Sequence, residues 1–325
     1  MASTRLSPQC LDIDPEAVTA EIAGRLRAAI QGMKKRGLVV AMSGGVDSSV
    51  VAALCVRALT PARVFGLLLP EADSSPESER LGALLARRLG IDFCVENIAP
   101  ALAALGCYER RDRAVRSMVP EYGDGWKFKI VLPNLVEGEQ YSFFSLVCQS
   151  PAGEIKRTRL SAQAYLEIVA ATNFKQRTRK MLEYYHADRL NYAVAGTPNR
   201  LEYDQGFFVK NGDGSADVKP IAHLYKTQVY RLAEYLGVPE EIRRRPPTTD
   251  TYSLEQSQDE FYFALPYDRM DLCLYGRNHG IAAGEVAPAC GLTAQQVERV
   301  YQIIDSKRLS TRYLHQPPVL VAPVF

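Results

Sequence analysis

Several features that would assign this chain to other classes of protein are missing. No apolar run is long enough to span a bilayer, and the polar amino terminus lacks the apolar core of a signal peptide. The net charge of +2 does not suggest a nucleic-acid-binding protein. The seven cysteines form no Cys-x-x-Cys pair and the four histidines show no metal-ligand spacing, so a zinc site is not expected. We therefore expect a cytoplasmic protein that binds neither membrane nor nucleic acid.

Two common nucleotide-binding motifs are missing as well. A Walker loop ends in Gly-Lys-Ser/Thr, but no lysine occurs between residues 36 and 126. The dinucleotide fingerprint Gly-x-Gly-x-x-Gly does not follow the first apolar run either. That run, residues 37–42, leads instead into Ser43-Gly44-Gly45-Val46-Asp47-Ser48-Ser49, and a helical pattern of apolar residues covers 50–59.

The order of strand, glycine turn and helix predicts an anion-binding loop. Gly44 and Gly45 allow a tight turn and a close approach to a ligand. The N–H groups at the start of the helix then face an anion. Asp47 and Ser48 fall in the first helical turn, where they can reach a metal ion and a phosphate oxygen. The arrangement resembles the PP-loop ATP pyrophosphatases, which cleave ATP to AMP and pyrophosphate while activating a carboxyl or carbonyl group.

The rest of the chain predicts a single α/β domain over residues 1–325. Strands at 37–42, 64–69, 91–98 and 192–195 alternate with helices at 14–35, 50–59, 77–89 and 161–190. This alternation is typical of a doubly wound, mostly parallel sheet with helices on both faces, a Rossmann-like fold. Further helices, including 221–236, 259–264, 268–275 and 293–306, make the carboxyl-terminal part helical. Ligands of such sheets bind beyond the carboxyl ends of the strands, where Ser43 lies.

Residues 126–160 interrupt the alternation. Three short runs, 126–131, 141–147 and 155–160, read as antiparallel strands separated by turn-forming residues. They predict an inserted β-meander. It is either a passive edge or dimer element, or a flap over the site.

A series of short motifs in the second half is weak singly but specific in its order. It comprises Asn173-x-x-x-Arg177-x-Arg179, Gly196-Thr197-x-Asn199-x-x-Glu202, Gly206-Phe207-Phe208, Lys210-Asn211-Gly212-Asp213, Asp217, Pro220, Leu224-x-Lys226-Thr227, Leu236-Gly237-Val238-Pro239, Pro246-Pro247-Thr248-x-Asp250 and Asp259-Glu260. Together with the glycine loop it resembles the NAD synthetases, over about residues 14–275 without the insertion. The resemblance implies a ligase that amidates deamido-NAD with ammonia through an acyl-adenylate, releasing AMP and pyrophosphate. It also implies a homodimer.

Physical roles can be attached to the residues of the ATP side. Mg²⁺ across the ATP phosphates prefers carboxylate oxygens, and Asp47 and Glu202 match the metal ligands of the family. Attack on the α-phosphorus builds negative charge that the cations Lys226 and Arg177 can stabilise. Backbone and hydroxyl groups of the loop and of two threonines are expected to contact ATP: Ser43, Gly44, Gly45, Ser48, Thr197 and Thr248.

The acid side of the site, where deamido-NAD would bind, is predicted from the resemblance alone. The resemblance assigns contacts with deamido-NAD to Asn173, Lys210, Asp213, Asp217, Asp259 and Glu260. Arg179 reads as an ordinary position on a helix surface. Three single-residue departures from the family pattern fall near this side: Val169 where an aromatic is usual, Thr251 in place of an apolar residue, and Ser306 where a histidine usually precedes Lys-Arg.

Other functions remain open at this point. A paralogous amide ligase would keep the ATP site but act on a different carboxylate. A tRNA-modifying PP-loop protein would show a reactive cysteine pair and a basic face, and neither is present. A non-catalytic nucleotide-binding protein would not need Asp47, Glu202 and Lys226. No glutaminase segment is recognisable, so free ammonia, or ammonia from a separate glutaminase, is the expected nitrogen source.

Overall fold

The computed structural model describes residues 6–131, 144–246, 251–254, 262–263 and 265–322. Seven strands lie in this part of the chain: β1 (Leu38–Ala41), β2 (Val64–Leu68), β3 (Asp92–Val95), β4 (Lys127–Val131), β5 (Ser145–Gln149), β6 (Ile155–Arg159) and β7 (Ala193–Ala195). Its α-helices are α1 (Pro15–Gly32), α2 (Val46–Ala58), α3 (Pro76–Leu89), α4 (Ala99–Ala104), α5 (Cys107–Arg116), α6 (Ala162–Leu190), α7 (Arg200–Gln205), α8 (Lys226–Tyr235), α9 (Glu240–Arg244), α10 (Tyr267–Asn278), α11 (Ala283–Cys290) and α12 (Ala294–Thr311).

Four strands form a parallel sheet in the order β3-β2-β1-β7. Because side chains alternate along a strand, β1 contributes to a core on each face. Leu38 and Val40 pack with α1, α2 and α8, whereas Val39 packs with α4, α5 and α6. Because helices cover both faces of the sheet, its strands need the nearly continuous apolar runs that are seen here. The predicted parallel sheet with helices on both faces is confirmed.

Helix α6 is much longer than the strands that it crosses. Its 29 residues extend about 44 Å at 1.5 Å per residue, whereas a four-residue strand spans about 13 Å. Near its carboxyl end Ala187 packs under the sheet with Val39. Near its amino end Ala164 and Ile168 belong to a different core. The amino-terminal half of α6 therefore projects beyond the carboxyl edge of the parallel sheet.

A third core lies under an antiparallel sheet in the order β4-β5-β6. Phe128 and Cys148 are opposite each other and fully buried, and they pack near Ile168 of α6. The edge strand β6 is mostly exposed and carries lysine and arginine, which disfavours further strand pairing. This confirms the predicted antiparallel insertion. Its middle strand is displaced, since β5 runs to Gln149 while residues 141–143 lie outside the described part of the chain.

Other element boundaries differ from the sequence prediction. Helix α8 begins at Lys226 and not at Ile221, because Leu224 closes a turn on Ile221 and Tyr225 is extended. Five helices were not predicted: α4, α5, α7, α9 and α11. The predicted carboxyl-terminal helical part is confirmed by α10, α11 and α12, which enclose a fourth core. No helix among the described residues is both long and apolar enough for a membrane span.

Candidate active site

The glycine loop connects β1 to α2 at the carboxyl edge of the sheet. Gly44 has a φ of 72°, and a Cβ there would come within 2.4 Å of the Ser78 carbonyl oxygen, so this position requires glycine. Gly45 is the N-cap of α2, and its carbonyl oxygen accepts from the hydroxyls of Ser48 and Ser49 at 3.1 and 2.7 Å. The loop is thus a pre-formed helix start, the kind of site that binds phosphate.

A buried ion pair joins the start of α2 to the start of α8. Lys226 is fully buried and its Nζ donates to Asp47 Oδ2. Asn199 Nδ2 donates to the other oxygen of Asp47 at 3.2 Å. Asn199 also caps α7 reciprocally with Glu202: its backbone N–H donates to Glu202 Oε2 at 3.0 Å, and its Oδ1 accepts from the Glu202 N–H at 3.2 Å. Residues from three separate loops are therefore held in one cluster.

The electrostatics of this cluster favour a further cation. Burial and the neighbouring Asp47 carboxylate raise the pKa of Glu202 to about 8. Burial alone would lower the pKa of Lys226, but Asp47 and Glu202 outweigh it, so the pKa is raised and the ammonium stays charged. Two carboxylates share one lysine. A divalent cation would relieve their repulsion.

The start of α8 is fixed from the helical part of the chain. The buried carboxylate of Asp271 in α10 accepts from the backbone N–H groups of Lys226 at 3.3 Å and Thr227 at 2.8 Å. These are first-turn N–H groups that lack partners inside the helix. Asp271 thus positions the backbone from which Lys226 reaches Asp47.

A cleft of about 770 Å³ opens above the cluster. One face of α6 forms a long wall of it, and the ends of β1, β2 and β7 form its floor. The predicted site residues that line it are Ser43, Gly45, Asp47, Ser48, Asn173, Arg177, Thr197, Glu202, Lys210, Asp213 and Lys226. Thr248, Asp259 and Glu260 lie outside the described residues.

The predicted acid-side residues are not equally well placed. Asp213 lines the cleft, its Oδ1 accepts from the Val209 N–H at 2.7 Å, and burial raises its pKa. Lys210 lines it too, with Nζ donating to the carbonyl oxygens of Tyr313 and Gln316 at 2.9 and 3.4 Å. The Nε of Arg177 donates to the Lys210 carbonyl oxygen at 3.3 Å. These contacts tie the wall at α6 to the segment after α7.

Two predicted residues do not line the cleft. Gly44 has its role in the backbone of the loop. Asp217 is exposed, and its carboxylate accepts from the Val194 N–H at 2.7 Å and from the Tyr184 hydroxyl at 3.4 Å. These bonds hold the chain beside β7. The structure therefore does not bring Asp217 together with the other acid-side residues.

A buried network behind the cleft was not predicted. Lys175 donates to Glu71 Oε1 at 2.9 Å, Asp73 Oδ2 at 2.6 Å and the Thr251 carbonyl oxygen at 2.9 Å. Arg111 donates to the same oxygen of Asp73 at 2.6 Å. The only signal in the sequence is the position of Glu71 and Asp73 directly after a strand, at its carboxyl end.

Other polar residues of the cleft also lacked an assigned role. Arg179, interpreted as a surface residue, is partly buried and donates to the Leu69 carbonyl oxygen at 3.3 Å. Lys180 and Glu183 form a buried ion pair at 2.6 Å that lines the wall. All three single-residue departures lie at the cleft or beside it. Val169 and Thr251 line the cleft, and Ser306 directly precedes Lys307, which also lines it.

A second group of possible metal ligands lies away from the cleft. Cys94 Sγ is 3.7 Å from Glu96 and 3.9 Å from His186 Nε2, which bonds to Glu96. Arg189 donates to His186 Nδ1 from two nitrogens, at 2.9 and 2.7 Å. A neutral ring that accepts at Nδ1 carries its proton on Nε2 and has no lone pair there for a metal. We interpret the group as a hydrogen-bond chain.

Comparisons with known proteins agree with this geometry. The sequence profile of the NAD synthase family matches residues 18–119 and 148–313. The NH(3)-dependent NAD(+) synthetase of Rhizobium meliloti is 61% identical over 318 residues, covering 98% of this chain and 95% of that protein. The protein of the same name from Thermotoga maritima is 34% identical over 296 residues, covering 90% and 95% of the two chains.

Solved structures show the same fold. An NMN synthetase from Francisella tularensis has a TM-score of 0.65 at 23% identity, covering 97% of this chain and all of that one. An NH3-dependent NAD synthetase from Campylobacter jejuni, in complex with the nitrate ion, has a TM-score of 0.63 at 20% identity, covering 96% and 100%. Profile, sequence identity and fold agree, and the chain belongs to the NAD synthase family.

Proposed function

We infer that this protein amidates deamido-NAD to NAD with ammonia, using ATP and releasing AMP and pyrophosphate. Family membership and relatives about 60% identical that bear the name NH(3)-dependent NAD(+) synthetase support the reaction. The observation that carries the site is the Asp47–Lys226 ion pair at the phosphate loop, inside the cleft.

The ATP side follows from the loop. The helix start at Gly45 and the hydroxyls of Ser43 and Ser48 suit the pyrophosphate that will leave. Lys226, which stays charged, and Arg177, which lines the same cleft, are our candidates to stabilise the charge that develops at the α-phosphorus. Thr197 and Thr248 are proposed to donate hydroxyl bonds to phosphate.

The cluster fits a magnesium ion. Asp47 and Glu202 offer the carboxylate oxygens that Mg²⁺ prefers, and burial together with the neighbouring Asp47 carboxylate raises the pKa of Glu202 in spite of Lys226. When bound, the ion neutralises phosphate charge. Lys226 and Asn199 keep Asp47 oriented for it.

The chemistry then needs alignment more than a reactive side chain. An oxygen of the acid attacks the α-phosphorus, pyrophosphate leaves, and the acyl-adenylate forms. Ammonia attacks its carbonyl carbon and AMP leaves. Holding the two reactants in the cleft in the correct orientation supplies most of the rate acceleration. Asn173, Lys210 and Asp213 are our candidates for holding deamido-NAD, and Asp259 and Glu260 are carried from the resemblance.

Partners and location are proposed more broadly. A homodimer, and free ammonia or a separate glutaminase as nitrogen source, follow from the resemblance. A cytoplasmic location is supported by seven cysteines that are all free thiols, which a reducing compartment maintains.

Pyrophosphate release from the purified protein tests the function. With ATP, Mg²⁺ and ammonium, release should depend on deamido-NAD and equal the NAD formed. ATP binding without release would favour a ligase for another carboxylate. Calorimetry of ATP binding tests the metal site separately: Mg²⁺ should tighten binding to the native protein but not to Glu202→Gln, which preserves the helix cap. An equal Mg²⁺ effect in both would remove Glu202 from the site.

A further inference from the structure

Residues 251–254 lie along the edge of the inserted antiparallel sheet that β4 forms. Two hydrogen bonds join them to Phe128 of β4: its N–H donates to Ser253 Oγ at 3.0 Å, and its carbonyl oxygen accepts from the Leu254 N–H at 3.0 Å. The rings of Phe128 and Tyr252 have centroids 5.2 Å apart and planes 60° from parallel, and Tyr252 is 5% exposed. Residues 251–254 are therefore docked on the inserted sheet.

The same segment is also held from the side of the parallel sheet. The Thr251 carbonyl oxygen accepts from Lys175 Nζ at 2.9 Å, and Lys175 pairs with Glu71 and Asp73, which follow β2. Thr251 and Tyr252 both line the cleft. One stretch of the cleft wall is therefore fixed from two directions, by the inserted sheet and by the buried network behind the cleft.

A residue a few positions earlier connects this wall to the phosphate loop. Arg245 lines the cleft, and its Nη2 donates to the Ser78 hydroxyl at 2.9 Å. The carbonyl oxygen of Ser78 is the group that a Cβ at Gly44 would meet. Thr248, the proposed donor of a hydroxyl bond to phosphate, stands between Arg245 and Thr251 in the sequence. Where these two residues are held therefore limits how Thr248 can reach ATP.

We propose that Ser253 is a positioning residue for ATP: its bond to β4 holds the wall at Thr251 and so sets the reach of Thr248 to the phosphates. The proposal rests on the proposed function, in which Thr248 contacts phosphate. Neither Ser253 nor Phe128 lines the cleft, so the effect on ATP is indirect. Strand β4 lies between the two ranges that match the family profile, whereas Ser253 lies inside the second range. The inserted sheet thus has a role in ATP binding.

Calorimetry of ATP binding in the presence of Mg²⁺ tests the proposal without the second substrate. Ser253→Ala should weaken ATP binding about 3- to 10-fold, the factor by which loss of one neutral hydrogen bond lowers the population of the docked segment. The KM for deamido-NAD should not change. Thr248→Val should weaken ATP binding about 10-fold or more, since a hydrogen bond to a charged group is stronger. In the Thr248→Val background, Ser253→Ala should change ATP binding by less than about 2-fold, because its effect depends on Thr248.

Matched variants separate positioning from packing. Ser253→Thr keeps a hydroxyl and should retain native ATP binding. Ser150→Ala removes a bond of the same kind, because Ser150 Oγ accepts from the Glu154 N–H at 3.1 Å in the turn between β5 and β6. This turn does not line the cleft, so the substitution should leave ATP binding unchanged. Melting temperatures are measured for every variant, so that loss of folded protein is not counted as loss of binding.

Three results would overturn the proposal. Native ATP binding by Ser253→Ala with only a lowered melting temperature would leave the segment a packing role. A rise in KM for deamido-NAD with ATP binding unchanged would place this stretch of wall on the acid side. A loss of ATP binding that persists in the Thr248→Val background would show that Ser253 does not act through Thr248. Failure of the native protein to amidate deamido-NAD would instead contradict the proposed function, and it is seen before any variant is made.

Discussion

Lys175 joins α6 to the segment after β2 and to the segment at Thr251, and its replacement by methionine gives a quantitative test of these contacts. Its side chain is 2% exposed and pairs with Glu71, whose side chain has no exposure at all. It also pairs with Asp73, which is 10% exposed, and bonds the Thr251 carbonyl oxygen. Methionine fills a similar volume but supplies no charge. Asp73 keeps Arg111 as a partner, so Glu71 is the carboxylate left without a cation.

The expected cost is large for one substitution. Removing one partner of a buried ion pair typically destabilises a protein by about 3–5 kcal/mol, because the remaining charge stays buried. With an unfolding entropy of about 0.7 kcal/mol/K for a chain of this length, the melting temperature should fall by about 4–7 °C. Calorimetric or fluorescence melting measures this. The control Arg25→Met removes an exposed ion pair with Glu21 on α1 and should change stability by less than about 1 kcal/mol.

A second substitution distinguishes the effect of an uncompensated buried charge from the effect of lost packing. Adding Glu71→Gln to Lys175→Met removes the uncompensated carboxylate and still offers an amide oxygen to the Tyr108 hydroxyl, now 3.0 Å from Glu71. The double variant should regain much of the lost stability, since buried pairs are often replaced by neutral groups at little cost. If Lys175→Met melts like Arg25→Met, or if Glu71→Gln restores nothing, the electrostatic reasoning is refuted.

Three other predictions concern the site itself. Asp47→Asn should reduce pyrophosphate release by about 100-fold or more, because it removes charge from the reacting phosphates; near-native turnover would exclude Asp47 from the mechanism. Asp213→Asn should raise KM for deamido-NAD about 10- to 100-fold with ATP binding unchanged. Asp217→Ala, outside the cleft, should lower the melting temperature without changing KM. The reverse pattern would contradict our division of the acid-side residues into those that line the cleft and those that do not. Burial raises the pKa of Asp271 from 3.8 to about 6, so the folded state holds its proton more tightly than the unfolded state. Stability should therefore fall by about 2 kcal/mol between pH 4 and pH 6, and this component should be missing from Asp271→Asn in denaturant titrations at both pH values.

The parallel sheet could be predicted because its strands are short, apolar and buried on both faces. Residues 37–42 and 64–69 contain β1 and β2 with one or two residues to spare. The helices that were missed carry weaker signals. Helix α7 has only six residues, although its capping box, Asn199 with Glu202, is visible in the sequence. Helix α11 contains Pro288, which normally argues against a helix interior.

The candidate site was predictable where its residues are close in sequence to a strand end. The loop at Ser43 and the segment at Thr197 directly follow β1 and β7, so parallel pairing alone brings them together. Lys226 required the resemblance, because nothing in its neighbourhood shows that it is buried against Asp47.

Contacts between distant buried charges could not be predicted, since charged residues are normally expected at the surface. Lys175 and Glu71 are 104 positions apart, and Asp271 is 45 positions from Lys226. Each pair forms only because α6 and α10 pack where they do. That packing is determined by apolar core residues, whose sequence does not indicate which charged residues will meet. A residue's local pattern reveals the element that it belongs to. The chemical role of the residue depends on which other element packs beside it.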